Sequence, residues 1–303
     1  MLNTSTKSQT LKPDIFNYIK ALFNLMKPRV MSLVIFTCVV GLLIAPVKVS
    51  FLNAILSILA VALGSGAAGA LNMWYEADLD SIMTRTCLRP IPTGKVTKIQ
   101  ALIFGISASL ISVVALYFFS NLVAALILVT TILFYVFIYT IWLKPKTEQN
   151  IVIGGAAGAL PPVIGWAIAT GDISVQSIIL FLIIFIWTPS HFWALSLYKT
   201  DDYKNAKIPM LPVTSGVKTT KINIFVYSLL LFPTVLAPFF LNYFGLIYLL
   251  SSGIFGFYYL FICFRLLKAN ESKLEKKIAK QIFGFSIFYL FIIFTSILID
   301  RII

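Results

Sequence analysis

Nine runs of mostly apolar residues, at 29–47, 52–74, 98–118, 121–142, 151–169, 176–198, 222–240, 245–264 and 281–299, alternate with short polar stretches. Each is close to the ~20 residues that carry an α-helix through the hydrocarbon of a bilayer. The pattern predicts an all-α integral membrane protein with nine transmembrane helices. The count would fall to eight if the two runs that meet near Asn121 were one element, but residues 118–125 are enough for a reversal and predict a tight turn. Residues 1–28 read as an amino-terminal segment and 29–303 as one transmembrane domain. The first 26 residues are polar and mixed, without the apolar core and small-residue site of a cleaved signal.

Composition agrees: of 303 residues, 59% are hydrophobic and 12% charged, and the mean hydropathy is +0.95. The main solvent of these side chains is lipid. The net charge of +13 does not point to nucleic acid, because the cations lie between apolar runs and form no basic domain with interleaved aromatics. Cys38, Cys87 and Cys263 have neither disulfide nor zinc spacing.

The cations set the direction of the chain. Of 24 Lys and Arg, 22 lie in the amino-terminal segment and in the connections after the second, fourth, sixth and eighth runs; Lys48 and Arg301 are the exceptions. Positive charge stays on the cytoplasmic side. The amino terminus is therefore expected in the cytoplasm and the carboxyl terminus outside, in a multi-pass protein of the cell inner membrane. Most acids share the cytoplasmic side, which is where an active site is expected.

The first polar constellation follows the second run and reads NMWYEADLDSIMTRTCLRPIPTG from Asn72. If the helix continues, Asn72, Glu76 and Asp80 form one i, i+4, i+8 stripe and Asp78 points elsewhere. Close carboxylates repel and raise each other's pKa, a conflict that a divalent cation removes. Mg²⁺ suits these oxygen donors and commonly arrives with substrate phosphates. Arg85 and Arg89, four apart, suit phosphate oxygens, so the set predicts a diphosphate site. The alternative is an acidic helix end neutralised by ordinary ion pairs. Pro90, Pro92 and Gly94 predict a shaped loop before the third run.

The second constellation reads WTPSHFWALSLYKTDDYKNAKIPMLPVTSG from Trp187. Pro189 is expected to kink or open the sixth span. His191, the single histidine, stands among Trp187, Phe192 and Trp193. It would orient or ligate a porphyrin iron, hydrogen-bond a substrate, or simply pack in the interior. Asp201 and Asp202 are adjacent and cannot both join one site. Tyr198, four residues before Asp202, would touch phosphate or face a cation with its ring, or anchor the span at the interface.

These residues, with YTIWLKPKTEQNIVIGGAAGALPPVIGW at 139–166 and the long segment 187–213, resemble the membrane prenyltransferase superfamily of the ubiquinone-pathway type, and within it the haem-modifying branch. The resemblance runs from Lys27 to Ile299. It implies nine helices around a central cavity, and transfer of farnesyl from farnesyl diphosphate to the vinyl group of protohaem IX with addition of water, giving haem O and diphosphate. It also implies Mg²⁺ as cofactor, with haem a substrate rather than a resident group. The metal and catalytic set becomes Asn72, Glu76, Asp80 and Asp202, and the diphosphate binders become Arg85, Arg89, Lys146 and Tyr198. His191, Trp187 and Trp193 would hold haem. Lys144 and Lys146 stand where a Lys-Arg pair is more usual, Met73 where Asp is common, and Ser190 where Pro is common. Lys27 and Arg29 resemble a basic patch on the substrate side. Haem A synthase and terminal oxidase pathway proteins are the implied recipients. Two other readings are prenyl transfer to a quinone-pathway aromatic ring and a membrane transporter.

Overall fold

The structure is a computed structural model that describes residues 15–302. Ile303 and the part of the predicted amino-terminal segment before Ile15 lie outside the described residues. Within them every regular element is a helix. Helix α1 (Ile15–Leu25) passes through a break at Met26 and Lys27 into α2 (Pro28–Ile44). Next come α3 (Phe51–Tyr75), the short α4 (Ala77–Ile82) and α5 (Lys98–Phe119). Helix α6 (Leu122–Leu133) continues as a π-helix (Phe134–Leu143) and a last turn, α7 (Lys144–Lys146). Helices α8 (Asn150–Ala159) and α9 (Pro161–Thr170) make one passage interrupted at Leu160. Helix α10 (Val175–Tyr198) leads to two short helices, α11 (Thr200–Asn205) and α12 (Leu211–Thr214). Three long helices finish the chain: α13 (Gly216–Phe240), α14 (Leu246–Lys268) and α15 (Ser272–Ile302).

Eight of these helical passages are long and apolar enough to cross a membrane, and α1 with α2, bent by 54°, would make a ninth. The chain is a multi-pass membrane protein with eight to nine candidate spans. The first apolar run corresponds to α2, which at 17 residues is short for a span by itself. The tight turn near Asn121 is present. Asn121 caps α6 by accepting from the Ala124 amide, and its own amide donates to the Ala167 carbonyl at 2.7 Å, tying the turn to α9.

Three features depart from the sequence expectation. The amino-terminal segment contains α1, whose buried side packs Ala21 and Leu25 against Ala70 and Met73 of α3. Residues 134–143 wind as a π-helix, with the Thr140 hydroxyl donating to the Tyr135 carbonyl at 2.8 Å, five residues back. Helix α10 runs unbroken through Pro189, so the expected opening there is not found.

Small residues let the helices touch backbone to backbone, as the runs at 62–70 and 154–159 suggest. The tightest approach joins α2 to α9. A methyl group on Gly41 would lie 2.1 Å from the Pro162 carbonyl oxygen, and one on Gly165 would lie 1.9 Å from that of Cys38. Gly154 and Gly155 likewise receive the Tyr139 ring and Thr188. Neighbouring helices run from α2 through α3, α5, α6, α9, α10, α13, α14 and α15, which returns to α2. The ends of α3, α7, α10 and α14 and the starts of α2 and α15 lie at one end of this bundle, where the polar side chains gather.

Candidate active site at the polar end of the bundle

Helix α3 stops at Tyr75 and α4 starts at Ala77, so the predicted continuous stripe is broken at Glu76. The i, i+4 hydrogen bonds nevertheless persist, Glu76 amide to Asn72 carbonyl at 3.0 Å and Asp80 amide to Glu76 carbonyl at 2.8 Å. Asn72, Glu76 and Asp80 therefore remain stacked and are all buried. Asp78 leaves the stripe and pairs with Lys98 in solvent.

Each member of the stripe has its own partner. Arg89 Nη1 donates to both oxygens of Asp80 at 2.8 and 2.7 Å. The Lys144 ammonium donates to Glu76 Oε1. Lys27, in a left-handed conformation with φ 54° between α1 and α2, donates to Asn72 Oδ1 at 2.5 Å. The Asn72 amide nitrogen in turn donates to Thr140 Oγ1 at 3.0 Å. Burial raises the Glu76 pKa, but the charges of Lys144 and Lys27 outweigh it and hold this carboxyl below the ordinary 4.5. The repulsion expected between the two carboxylates is thus answered by cations of the protein itself.

The loop 83–96 aims Arg89. Its turns close with Thr86 and Cys87 amides on the Met83 carbonyl and the Thr93 amide on the Arg89 carbonyl, and Gly94 supplies the left-handed residue at φ 72°. Thr86 Oγ1 fastens this loop to the Asp80 carbonyl. From the same loop, Thr84 Oγ1 lies 2.7 and 2.8 Å from the two oxygens of Asp202, bringing the second acidic segment to the first. Asp202 is buried, whereas Asp201 is exposed and 3.9 Å from Lys276. Arg85 is exposed, in no ion pair among the described residues, and within electrostatic reach of Tyr139 and Tyr198. Lys146 is exposed on the outside of the turn that directs Lys144 inward.

The histidine segment makes an aromatic column. His191 lies between Trp187, with ring centroids 4.3 Å apart, and Phe283 of α15 at 4.5 Å, and Tyr198 meets the edge of Phe283 at 5.9 Å. His191 Nδ1 is 2.6 Å from Ser286 Oγ, and Trp187 Nε1 donates to the Ser286 carbonyl. Trp193 points away from this column into the core against Tyr227, and its Nε1 has no hydrogen-bond partner among the described residues.

Sequence reasoning missed Tyr135, Tyr139 and Thr84. The two tyrosines stack at 5.4 Å, with Lys27 and Lys144 each 5.9 Å from one ring. They sit four residues apart on one helical face, inside an apolar run that gives them no polar signal. Thr84 belongs to a loop motif whose arginines drew the attention.

A second strap closes over the same end. Ser215 Oγ at 2.6 Å and the Thr214 hydroxyl both donate to Glu148 Oε2, holding its pKa below the ordinary 4.5. A depressed folded value means the clasp stabilises above the unfolded pKa and is lost as pH falls through the folded one. After correction for intrinsic rates, amide exchange at 211–216 is expected to quicken as pH falls through the lowered Glu148 pKa in the wild type. In Glu148→Gln this acid step should be missing.

The donors here are hard oxygens, of the kind Mg²⁺ accepts. Among the described residues no three His, Cys, Asp or Glu side chains form a ready metal cage. A metal here would be completed by substrate phosphates rather than enclosed by protein alone.

Known proteins resemble this chain throughout. The UbiA prenyltransferase family matches residues 34–292. A protoheme IX farnesyltransferase of Pelagibacter ubique (strain HTCC1062) is 62% identical over 303 residues, all of both chains. The fold is shared with a solved digeranylgeranylglyceryl phosphate synthase, at TM-score 0.77 and 20% identity over 94% of this chain and 99% of that one. It is shared also with a UbiA homologue of Archaeoglobus fulgidus bound to DMAPP and Mg²⁺, at TM-score 0.68 and 16% identity, covering 91% and 98%. The chain belongs to the UbiA prenyltransferase family.

Proposed function

We propose that this protein transfers farnesyl from farnesyl diphosphate to a vinyl group of protohaem IX, forming haem O. The carrying observation is the set of buried acids at one end of the bundle, each held by a cation or hydroxyl that can be exchanged for a ligand. The acceptor follows from the name of the 62% identical relative.

In this reading Glu76, Asp80 and Asp202, assisted by Asn72, would hold Mg²⁺, which would supply charge to neutralise the departing diphosphate. Arg89 and Lys144 pass from the carboxylates to phosphate oxygens, joined by Arg85, Tyr198 and, from the rim, Lys146. The bond between farnesyl C1 and the diphosphate oxygen breaks and a carbon–carbon bond to the vinyl group forms. Water then adds to the porphyrin side and releases a proton. Apolar walls keep water from the farnesyl cation until that step. His191 and Trp187 orient the porphyrin, with Trp193 supporting them from the core. The domain comprises 29–303, with nine spans, a cytoplasmic amino terminus and active site, and an outer carboxyl terminus in the cell inner membrane. Haem A synthase and terminal oxidase pathway proteins take the product.

The test is purified protein in lipid with protohaem, farnesyl diphosphate and Mg²⁺, the pigments being identified by mass. A product heavier by a farnesyl and a hydroxyl group is expected. Diphosphate release with an aromatic acid and none with haem would sink the acceptor assignment. Thr84→Val, which strips Asp202 of its hydroxyl donor, should slow turnover about tenfold or more, as expected when a charged group loses a hydrogen bond.

A further inference from the structure

The faces of the His191 ring are covered by Trp187 and Phe283, and Phe192 meets it edge-on at 5.0 Å, which fixes the ring plane. Its two nitrogens stand in different surroundings. Nδ1 lies 2.6 Å from Ser286 Oγ, and the same hydroxyl lies 2.8 Å from the Phe283 carbonyl oxygen one turn back. A serine hydroxyl has one hydrogen to give. If that hydrogen went to Nδ1, the hydroxyl and carbonyl oxygens would face each other at 2.8 Å with no hydrogen between them. Donated to the carbonyl, it leaves Oγ to accept from Nδ1–H, and both contacts become hydrogen bonds. Trp187 Nε1 donates to the Ser286 carbonyl at 2.9 Å and keeps the serine in register with the histidine. A proton on Nδ1 leaves a lone pair on Nε2. Nε2 has no hydrogen-bond partner among the described residues, and it is not one of the enclosed unpartnered atoms there, which are Asn150 Oδ1, Trp193 Nε1 and Thr295 Oγ1. A histidine that only filled space would not need one nitrogen fixed and the other left open.

We infer that Ser286 is a positioning residue, which holds His191 in its Nδ1–H form and so presents Nε2 as an axial ligand to the iron of protohaem. This rests on the reading of haem as the acceptor substrate. A hydrogen bond accepted from the far nitrogen orients a ligating imidazole and makes the near one more basic. The iron lies at the centre of the macrocycle and the vinyl groups at its edge. Ligation at Nε2 therefore fixes the acceptor without touching the carbon that receives farnesyl.

The test titrates the full chain, purified without a histidine tag, with protohaem and with iron-free protoporphyrin IX. His191 is the single histidine, so an iron–histidine band in the resonance Raman spectrum of the ferrous complex has one source. The wild type should show this band, and His191→Ala should lose it. Ser286→Ala is expected to lower protohaem affinity about ten- to a hundredfold, the usual loss when a ligand's hydrogen-bond partner is removed. It should leave protoporphyrin IX binding unchanged and move the iron–histidine band to lower frequency. Ser296→Ala is the control: this hydroxyl also donates to the carbonyl one turn back, on the same helix, and touches no histidine. It should match the wild type with both pigments. Equal weakening of both pigments by Ser286→Ala overturns the inference, because it marks a packing role. So does wild-type haem binding without the band, which leaves the acceptor reading standing. A wild type that binds no haem sinks that reading and the inference with it.

Discussion

Asp80→Asn is expected to lower farnesyl transfer by about a hundred- to a thousandfold, the range seen when one preorganised electrostatic group is removed from a reacting centre. The change keeps the shape of the side chain and removes its charge. Arg89 then loses its buried anionic partner, but its own side chain is 19% exposed and can reach solvent, so the fold should survive. The loss should fall on kcat more than on KM, because a released Arg89 remains available to the diphosphate. Single-turnover rates in lipid, beside a check of membrane insertion, measure this. Full activity in Asp80→Asn would remove the acid cluster from the mechanism.

Gly165→Val is expected to cost about 3 kcal/mol or more, in the upper range for overpacking a tight interior contact. The added atoms would collide with backbone at Cys38 and Leu42, which cannot turn aside as a side chain can. Gly41→Ala makes the reciprocal collision with Pro162. Gly284→Ala is the control. It meets nothing within 4 Å and lies in α15, where alanine favours the helix by up to about 1 kcal/mol over glycine. Thermal unfolding in detergent should place the first two well below the wild type and the third at or above it. If Gly165→Val unfolds with the wild type, the backbone contact between α2 and α9 is not what holds them.

Much of this was legible because lipid makes the pattern simple. Eight of the nine apolar runs find helical passages long enough to span, since any polar interruption would be costly in hydrocarbon. The stacking of Asn72, Glu76 and Asp80 was legible too, although the chain bends at Glu76, because the i, i+4 hydrogen bonds outlast the bend. Partner choice was not. Lys144 and Lys146 are two residues apart and chemically alike, and only the rotation of the π-helix decides that Lys144 meets Glu76. Lys27 reaches Asn72 across 45 residues by virtue of a left-handed turn that the KPRV motif does not announce. The amphipathic α1 was hidden because its polar face dominated the reading of a segment too short to span.

The pairing of Glu76 with Lys144 and of Asp80 with Arg89 bears on the order in which ligands can bind. A divalent ion arriving alone would have to evict two cations from their carboxylates. The same ion arriving with a diphosphate offers each evicted cation an oxygen. Affinity for the metal should therefore be weak without diphosphate and strong with it, and by linkage the diphosphate gains the same factor from the metal. Cooperativity of this kind would be set in the resting protein, by ion pairs that stand where the proposed diphosphate would bind.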